Sequence, residues 1–247
     1  MHYWIVMPAA GVGRRFGSAK QYARLGKRTV LQVALQVFLD DPQCRGGSVM
    51  LASDDAQRPQ LAAQLPERIA LVEGGAERAH SVCNGLRSLE TRAGADDWVL
   101  VHDAVRPALS AADLQRLLHR GAADAVGALL ATPVADTVKR ALAERCEATV
   151  PRESLWLVQT PQMFRYALLR GALERALAQG RIPTDEAQAM EWQGHAALLV
   201  QAQDSNLKIT TPADLALLQA ILQHRALQAG HASGLVQDGV MHDRAMQ

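Results

Sequence analysis

The sequence predicts an α/β fold in which a mostly parallel sheet carries helices on both faces. Strand-like apolar runs alternate along the chain with stretches whose apolar residues recur at helical spacing. Two of the runs, residues 3–7 and 98–101, are apolar throughout, as strands covered on both faces must be. With 247 residues, 49% of them hydrophobic, the chain is long enough to fill the core of one large domain.

In order, residues 3–7 read as a buried strand, followed by a glycine-rich loop and a helix over 29–39. Residues 48–52 read as a second strand and 56–65 as a helix. A short strand at 69–72 ends in the turn Glu73-Gly74-Gly75-Ala76-Glu77-Arg78, which opens a helix over 79–89. The apolar strand 98–101 ends in His102-Asp103-Ala104-Val105-Arg106-Pro107. Ser110 is placed to N-cap a helix through His119, with Asp113 at its N3 position. Residues 125–131 form another strand. From 135 to 152 two short alternating runs flank a polar middle, which predicts a hairpin projecting from the sheet. Such an arm buries little alone and gains by packing on a second subunit. The chain returns at 155–158, continues as helices over 165–179 and 184–192, and adds late strands at 196–200 and 207–210. Thr211 N-caps the closing helix, with Pro212 first and Asp214 at N3. The domain is expected to end near residue 228, leaving 229–247 as a flexible tail.

Bulk properties narrow the partners. A net charge of +1 gives no global field for nucleic acid or a membrane surface. Cys44, Cys83 and Cys146 form an odd, scattered set with no C-x-x-C, which suits a reducing cytoplasm and gives no zinc signature. The first apolar run is too short to span a bilayer and has no charged leader before it.

The loop Pro8-Ala9-Ala10-Gly11-Val12-Gly13-Arg14-Arg15-Phe16-Gly17-Ser18-Ala19-Lys20 sits between strand and helix, the context of a phosphate cradle. Its glycines let backbone N–H groups approach phosphate oxygens, and Arg14, Arg15 and Lys20 supply cations. It lacks the Gly-Lys-Ser/Thr ending of a P-loop. It also has Phe16 where a dinucleotide fingerprint needs a third small residue, and no acid about 20 residues on, which argues against NAD. In a parallel sheet, ligands sit at the carboxyl ends of the strands. There the sequence places Arg15 and Lys20, Arg78 and Ser81, Asp103 and Arg106, and Thr137. Asp103 reads either as a carboxylate for Mg²⁺ or a ribose hydroxyl, or as a turn residue. His102 reads as a packed, hydrogen-bonded histidine. Arg106 suits a second anionic substrate or a turn, and Thr184 a helix N-terminus or a ligand contact. Arg152 and Lys208, taken alone, are ordinary solvated cations. No nucleophile elbow or triad signal is present.

Together these stretches resemble the 2-C-methyl-D-erythritol 4-phosphate cytidylyltransferase family. The resemblance is carried by the loop with Lys20-Gln21-Tyr22, by Gly74-Gly75-Ala76-Glu77-Arg78 with Ser81-Val82, and by Val101-His102-Asp103-Ala104 with Arg106-Pro107. It continues through Asp136-Thr137-Val138-Lys139, Gln159-Thr160-Pro161-Gln162, Thr184-Asp185-Glu186-Ala187 and Asn206-Leu207-Lys208-Ile209-Thr210. The set is shared with a close relative, ribitol-5-phosphate cytidylyltransferase, and a non-catalytic nucleotide-binding module is the alternative from another class. The resemblance implies a single Rossmann-like nucleotidyltransferase domain of the glycosyltransferase-A-like type. It implies CTP and 2-C-methyl-D-erythritol 4-phosphate as substrates, Mg²⁺ as cofactor, and a cytoplasmic homodimer joined through the 135–152 arm. Arg15, Lys20, Arg152 and Lys208 would be catalytic. CTP would be held by Pro8, Ala9, Ala10, Gly11, Gly13, Gly75, Ser81, Asp103 and Ala104, with Asp103 also the metal ligand. Arg106, Thr137, Thr160 and Thr184 would bind the second substrate. Thr137 and Arg152 would serve the neighbouring subunit's site. Two departures stand out: Ala19 replaces the proline usual before the lysine in a shortened loop, and Val105 replaces an alanine beside Asp103.

Overall fold

Alternate residues of a strand face opposite ways, and in β1 (Tyr3–Pro8) both ways are apolar. Tyr3, Ile5 and Met7 enter one core while Trp4 and Val6 enter another. A strand of this kind is stable only with a packed layer on each side. The computed structural model describes the chain except residues 12, 14, 15, 18 and 243–247, with 229–242 described as backbone only.

The elements after β1 are a 3₁₀ turn at Lys20–Tyr22, the short strands β2 (Arg24–Leu25) and β3 (Arg28–Thr29), α1 (Val30–Leu39) and β4 (Cys44–Leu51). They continue with α2 (Arg58–Gln64), β5 (Ile69–Glu73), α3 (Arg78–Arg87), β6 (Trp98–Val101), α4 (Ala111–Ala122) and β7 (Gly127–Pro133). The rest are β8 (Val138–Leu142), β9 (Arg145–Val150), β10 (Trp156–Arg165), α5 (Tyr166–Ala178), α6 (Glu186–Glu191), β11 (Leu198–Gln201) and α7 (Pro212–His242). Seven strands form one sheet in the order β11-β7-β10-β6-β1-β4-β5. Every neighbouring pair is parallel except those of β10, which runs antiparallel to both β6 and β7. Helices α1 and α4 cover one face through Leu31, Leu35, Phe38, Leu114 and Leu117. Helices α3, α5 and α6 cover the other through Val82, Leu86, Leu169, Leu173 and Met190. The α/β reading, with helices on both faces, is therefore what the chain does.

Close approach within the sheet requires glycine. At Gly47 a Cβ would stand 1.9 Å from the Ile5 carbonyl oxygen across the β1–β4 pair, so no side chain fits there. The helix starts are chemically marked. Thr29 and Gln32 form a reciprocal capping box on α1, and the Ser110 hydroxyl accepts from the Asp113 N–H on α4. Asp113 is fully buried and does more than the sequence suggested. Its two carboxylate oxygens accept from the N–H groups of Gln203 and Asp204, both at 3.0 Å, and so anchor the loop after β11. The Asp214 carboxylate accepts from the Thr210 and Thr211 N–H groups, at 2.8 and 2.7 Å, at the start of α7.

Two expectations need correction. The return at 155–158 is the beginning of a ten-residue strand, β10. Pro161 lacks an N–H, so pairing with β7 shifts register between Val158 and Gln162, and that break hid the strand in the sequence. Residues 207–210 join no strand. Ile209 is buried with Val30, Ala108 and Leu218, so its alternation with Lys208 serves packing and an ion pair rather than a ladder. Past residue 228 the backbone of α7 runs on to His242. The arm is a hairpin as expected: among the described residues β8 and β9 pair only with each other, and most of their residues are exposed.

Candidate active site

Three parallel strands, β1, β5 and β6, deliver loops to the same end of the sheet. Gly74 is where two of them touch: a Cβ there would lie 2.6 Å from the Ala10 Cβ. The Ser81 hydroxyl accepts from the Gly75 N–H at 3.0 Å and donates to the Glu77 carbonyl at 3.3 Å, which fixes the turn. On the other side, the Gln21 amide donates to the Ala9 carbonyl at 2.9 Å. Pro8, Ala9, Ala10, Gly11 and Gly13, at and after the end of β1, thus lie at the same end of the sheet as Gly75 and Ser81, after β5. Gly13, at φ +66°, accepts the N–H bonds of Phe16 and Gly17 and turns the loop back. Arg15, expected in this loop, lies outside the described residues.

Asp103 is the hub. It follows β6 and is buried, with 6% of its surface exposed. Its Oδ1 accepts from Arg78 Nε at 3.0 Å and its Oδ2 from Lys208 Nζ at 2.7 Å, while Arg106 Nε lies 3.8 Å from Oδ2. Burial pushes this carboxyl up, but the charges of Arg78, Lys208 and then Arg106 outweigh it and hold it well below the usual carboxylate range. Arg78 in turn forks onto Glu186, Nη1 to Oε1 at 2.7 Å and Nη2 to Oε2 at 3.1 Å. Burial pulls the Arg78 pKa down, and the two carboxylates more than reverse it. Arg106 donates through Nη1 to the Asn206 carbonyl at 2.8 Å. Lys20, from the glycine-rich loop, donates to the Ile209 carbonyl at 2.8 Å, which sets it beside the loop that carries Lys208.

A buried chain of hydrogen bonds supports Asp103 from behind. The Asp103 N–H donates to the Thr160 hydroxyl at 3.0 Å, and that oxygen lies 3.1 Å from His102 Nδ1. His102 Nε2 is 3.0 Å from the Arg106 carbonyl oxygen. A carbonyl only accepts, so Nε2 carries the imidazole proton and Nδ1 accepts from the Thr160 hydroxyl. Burial lowers the His102 pKa to about 4, so the ring is neutral at physiological pH. The Asn206 amide donates to the Thr160 carbonyl at 2.7 Å. Thr160 is therefore buried, with its hydroxyl and carbonyl both engaged, and it braces the site from within.

The structure brings together Lys20, the Ala9–Ala10 and Gly75 turns, Asp103, Ala104, Arg106, Thr160 and Lys208. Thr184 is exposed just ahead of α6, its N–H donating to the Gln188 side chain at 2.9 Å. Thr137 and Arg152 lie at the base of the arm, both exposed, and Arg152 donates to the Ala135 carbonyl within it. Glu186 and Asn206 were not assigned to the site from sequence, and Arg78 was placed at the strand ends without a role. Each lay inside a quoted motif, but the pairing of Arg78 with Glu186 spans 108 positions and has no local signal.

Among the described residues no group of three His, Cys, Asp or Glu side chains is gathered as a metal cage. Asp103 is a lone carboxylate, and a carboxylate has about four lone-pair sites, of which Arg78 and Lys208 use two. Such a donor set would fit a Mg²⁺ ion, to which Asp103 would lend its carboxylate. Three cations, Arg78, Arg106 and Lys208, face two carboxylates here, an excess of positive charge suited to polyphosphate.

Known proteins resemble this chain over most of its length. Residues 3–224 match the model of a family described as 2-C-methyl-D-erythritol 4-phosphate cytidylyltransferase. A relative of that name from Pseudomonas aeruginosa PAO1 is 51% identical over 226 residues, covering 90% of this chain and 97% of its own. A crystal structure described as 4-diphosphocytidyl-2C-methyl-D-erythritol synthase superposes with a TM-score of 0.79 at 37% identity, covering 90% of this chain and 98% of that one. The 2-C-methyl-D-erythritol 4-phosphate cytidylyltransferase of Thermus thermophilus superposes at 0.74 with 33% identity, covering 90% of this chain and 100% of that one.

Proposed function

Because the chain belongs to the 2-C-methyl-D-erythritol 4-phosphate cytidylyltransferase family, we infer that its strand-end crevice carries out that family's transfer. The cytidylyl group of CTP passes to 2-C-methyl-D-erythritol 4-phosphate, releasing pyrophosphate, in the non-mevalonate route to isoprenoid precursors. One observation carries the reading: Arg78, Arg106 and Lys208 converge on the Asp103 carboxylate, and Lys20 meets the loop that bears Lys208. A phosphate monoester is already an anionic nucleophile at neutral pH, since its second pKa is about 6. The task left to the protein is to hold two polyanions in line and to neutralise charge on the α-phosphate and the leaving group.

In this reading Arg15 and Lys20 stabilise the charge that builds in transfer. Lys208, held by Asp103, positions the acceptor phosphate together with Arg152 from the arm of a second subunit. The turn at Ala9, Ala10, Gly75 and Ser81 holds the cytidine, and Arg106, Thr137 and Thr184 border the polyol phosphate. Asp103 would hold a Mg²⁺ ion, which would supply further charge neutralisation. The exposure of Leu142 and Leu157, at 71% and 60%, on and beside the arm supports a homodimer joined there. Cys44, Cys83 and Cys146 are all free thiols, which supports a reducing, cytoplasmic location. No described helix is long and apolar enough to cross a membrane.

The test is pyrophosphate release from CTP and Mg²⁺, with methylerythritol phosphate and ribitol 5-phosphate offered in parallel. Release with the first alone is expected. Release only with ribitol phosphate would keep the chemistry and overturn the acceptor, and CTP binding without release from either would overturn the enzyme.

A further inference from the structure

Glu186 is the most deeply buried carboxylate near the site, 1% exposed, and both its oxygens accept from Arg78. A buried charge is retained at a cost unless its partner uses it. The partner is Arg78, whose terminal nitrogens are both committed to Glu186, leaving Nε to meet Asp103 Oδ1. We propose that Glu186 is a positioning residue for the transfer: through Arg78 it fixes the Asp103 carboxylate so that its other oxygen holds Lys208.

The anchor behind Glu186 is rigid. It opens α6, whose N-cap, Asp185, accepts from the Gln188 N–H at 2.9 Å through Oδ1. Asp185 Oδ2 accepts from the Gln162 amide at 3.0 Å, and Gln162 Oε1 accepts from the Ala187 N–H at 2.9 Å. Gln162 pairs across the sheet with Val101, two residues before Asp103. The first turn of α6 is therefore fastened to the strand end that bears Asp103, and Arg78 closes the frame between them. A guanidinium is planar, and two carboxylates meeting it on different edges leave it one orientation. With the Glu186 charge removed, Arg78 is free to turn its fork onto both Asp103 oxygens and displace Lys208.

This rests on the cytidylyltransferase reading, so wild-type turnover of CTP and methylerythritol phosphate is the control. Its absence would count against that reading, not against the frame. Glu186→Gln is expected to lower kcat about ten- to hundredfold, with the KM for CTP changed less than about threefold. Arg78→Lys keeps a charge but cannot bridge both carboxylates, and its partly exposed side chain makes it a safe second variant. It is expected to show the same split even if Glu186→Gln does not fold. The double variant should be about as slow as Arg78→Lys alone, because both lesions break one frame. A wild-type kcat in Arg78→Lys would overturn the proposal. So would effects that multiply in the double variant.

Discussion

Acid should unfold this protein through His102. The ring is buried and neutral, its Nδ1 accepts the Thr160 hydroxyl proton, and its pKa is lowered from 6.5 to about 4 by burial. The unfolded chain therefore binds more protons than the folded one between those values, so stability falls as pH falls from about 6.5 towards 4. For one such group, linkage gives about 2 kcal/mol lost between pH 7.5 and pH 5. In a chain of this size that corresponds to about 4–8 °C in Tm. Asp103, held low, adds its own loss only at more acid pH, below the ordinary carboxylate value, so the two windows separate. Urea unfolding at half-unit steps from pH 7.5 to 4.5 measures the slope. His102→Gln starts less stable, because two buried bonds are disturbed, but should be flatter across the window by the same 2 kcal/mol or so. Equal slopes in the two proteins would refute the assignment of a neutral, proton-accepting Nδ1.

Two further outcomes follow from the site and the sheet. If Arg152 serves the other subunit, Lys208→Ala and Arg152→Ala proteins are each nearly inactive. Mixed and re-equilibrated, they should recover about a quarter of wild-type turnover, since half the dimers are mixed and each holds one intact site. No recovery would place Arg152 at its own subunit's site. Gly47→Ala should cost about 3 kcal/mol or more, because the methyl group collides with the Ile5 carbonyl and neither strand can retreat. A native-like urea midpoint for that variant would contradict the close approach of β1 and β4.

What was legible in the sequence was whatever is encoded locally. The continuous apolar runs of β1 and β6 named themselves as buried parallel strands, and the residues just beyond them named the site's side of the sheet. The alternation flanking a polar middle gave the arm. What was not legible was pairing decided at long range. Pro161 disguised β10, although a strand tolerates a proline where its ladder is interrupted. The bonds of Glu186 with Arg78, and of Asp113 with residues 203 and 204, lie far apart in sequence. No periodicity marks a carboxylate that works through tertiary contact. Thr160 illustrates the limit from the other side: its motif was recognised, and its burial behind Asp103 was not.

The antiparallel strand joins the arm to the site. β10 begins at Trp156, beside the base of the arm, and four residues later supplies Thr160 to the backbone of Asp103. At about 3.3 Å per residue the two points are roughly 13 Å apart along the chain. Trp156, Leu157 and Val158 pair with β7, the ladder breaks, and pairing with β6 begins only at Gln162. The arm and the carboxylate are thus joined by one short run of chain, and Thr160 sits in its unpaired middle.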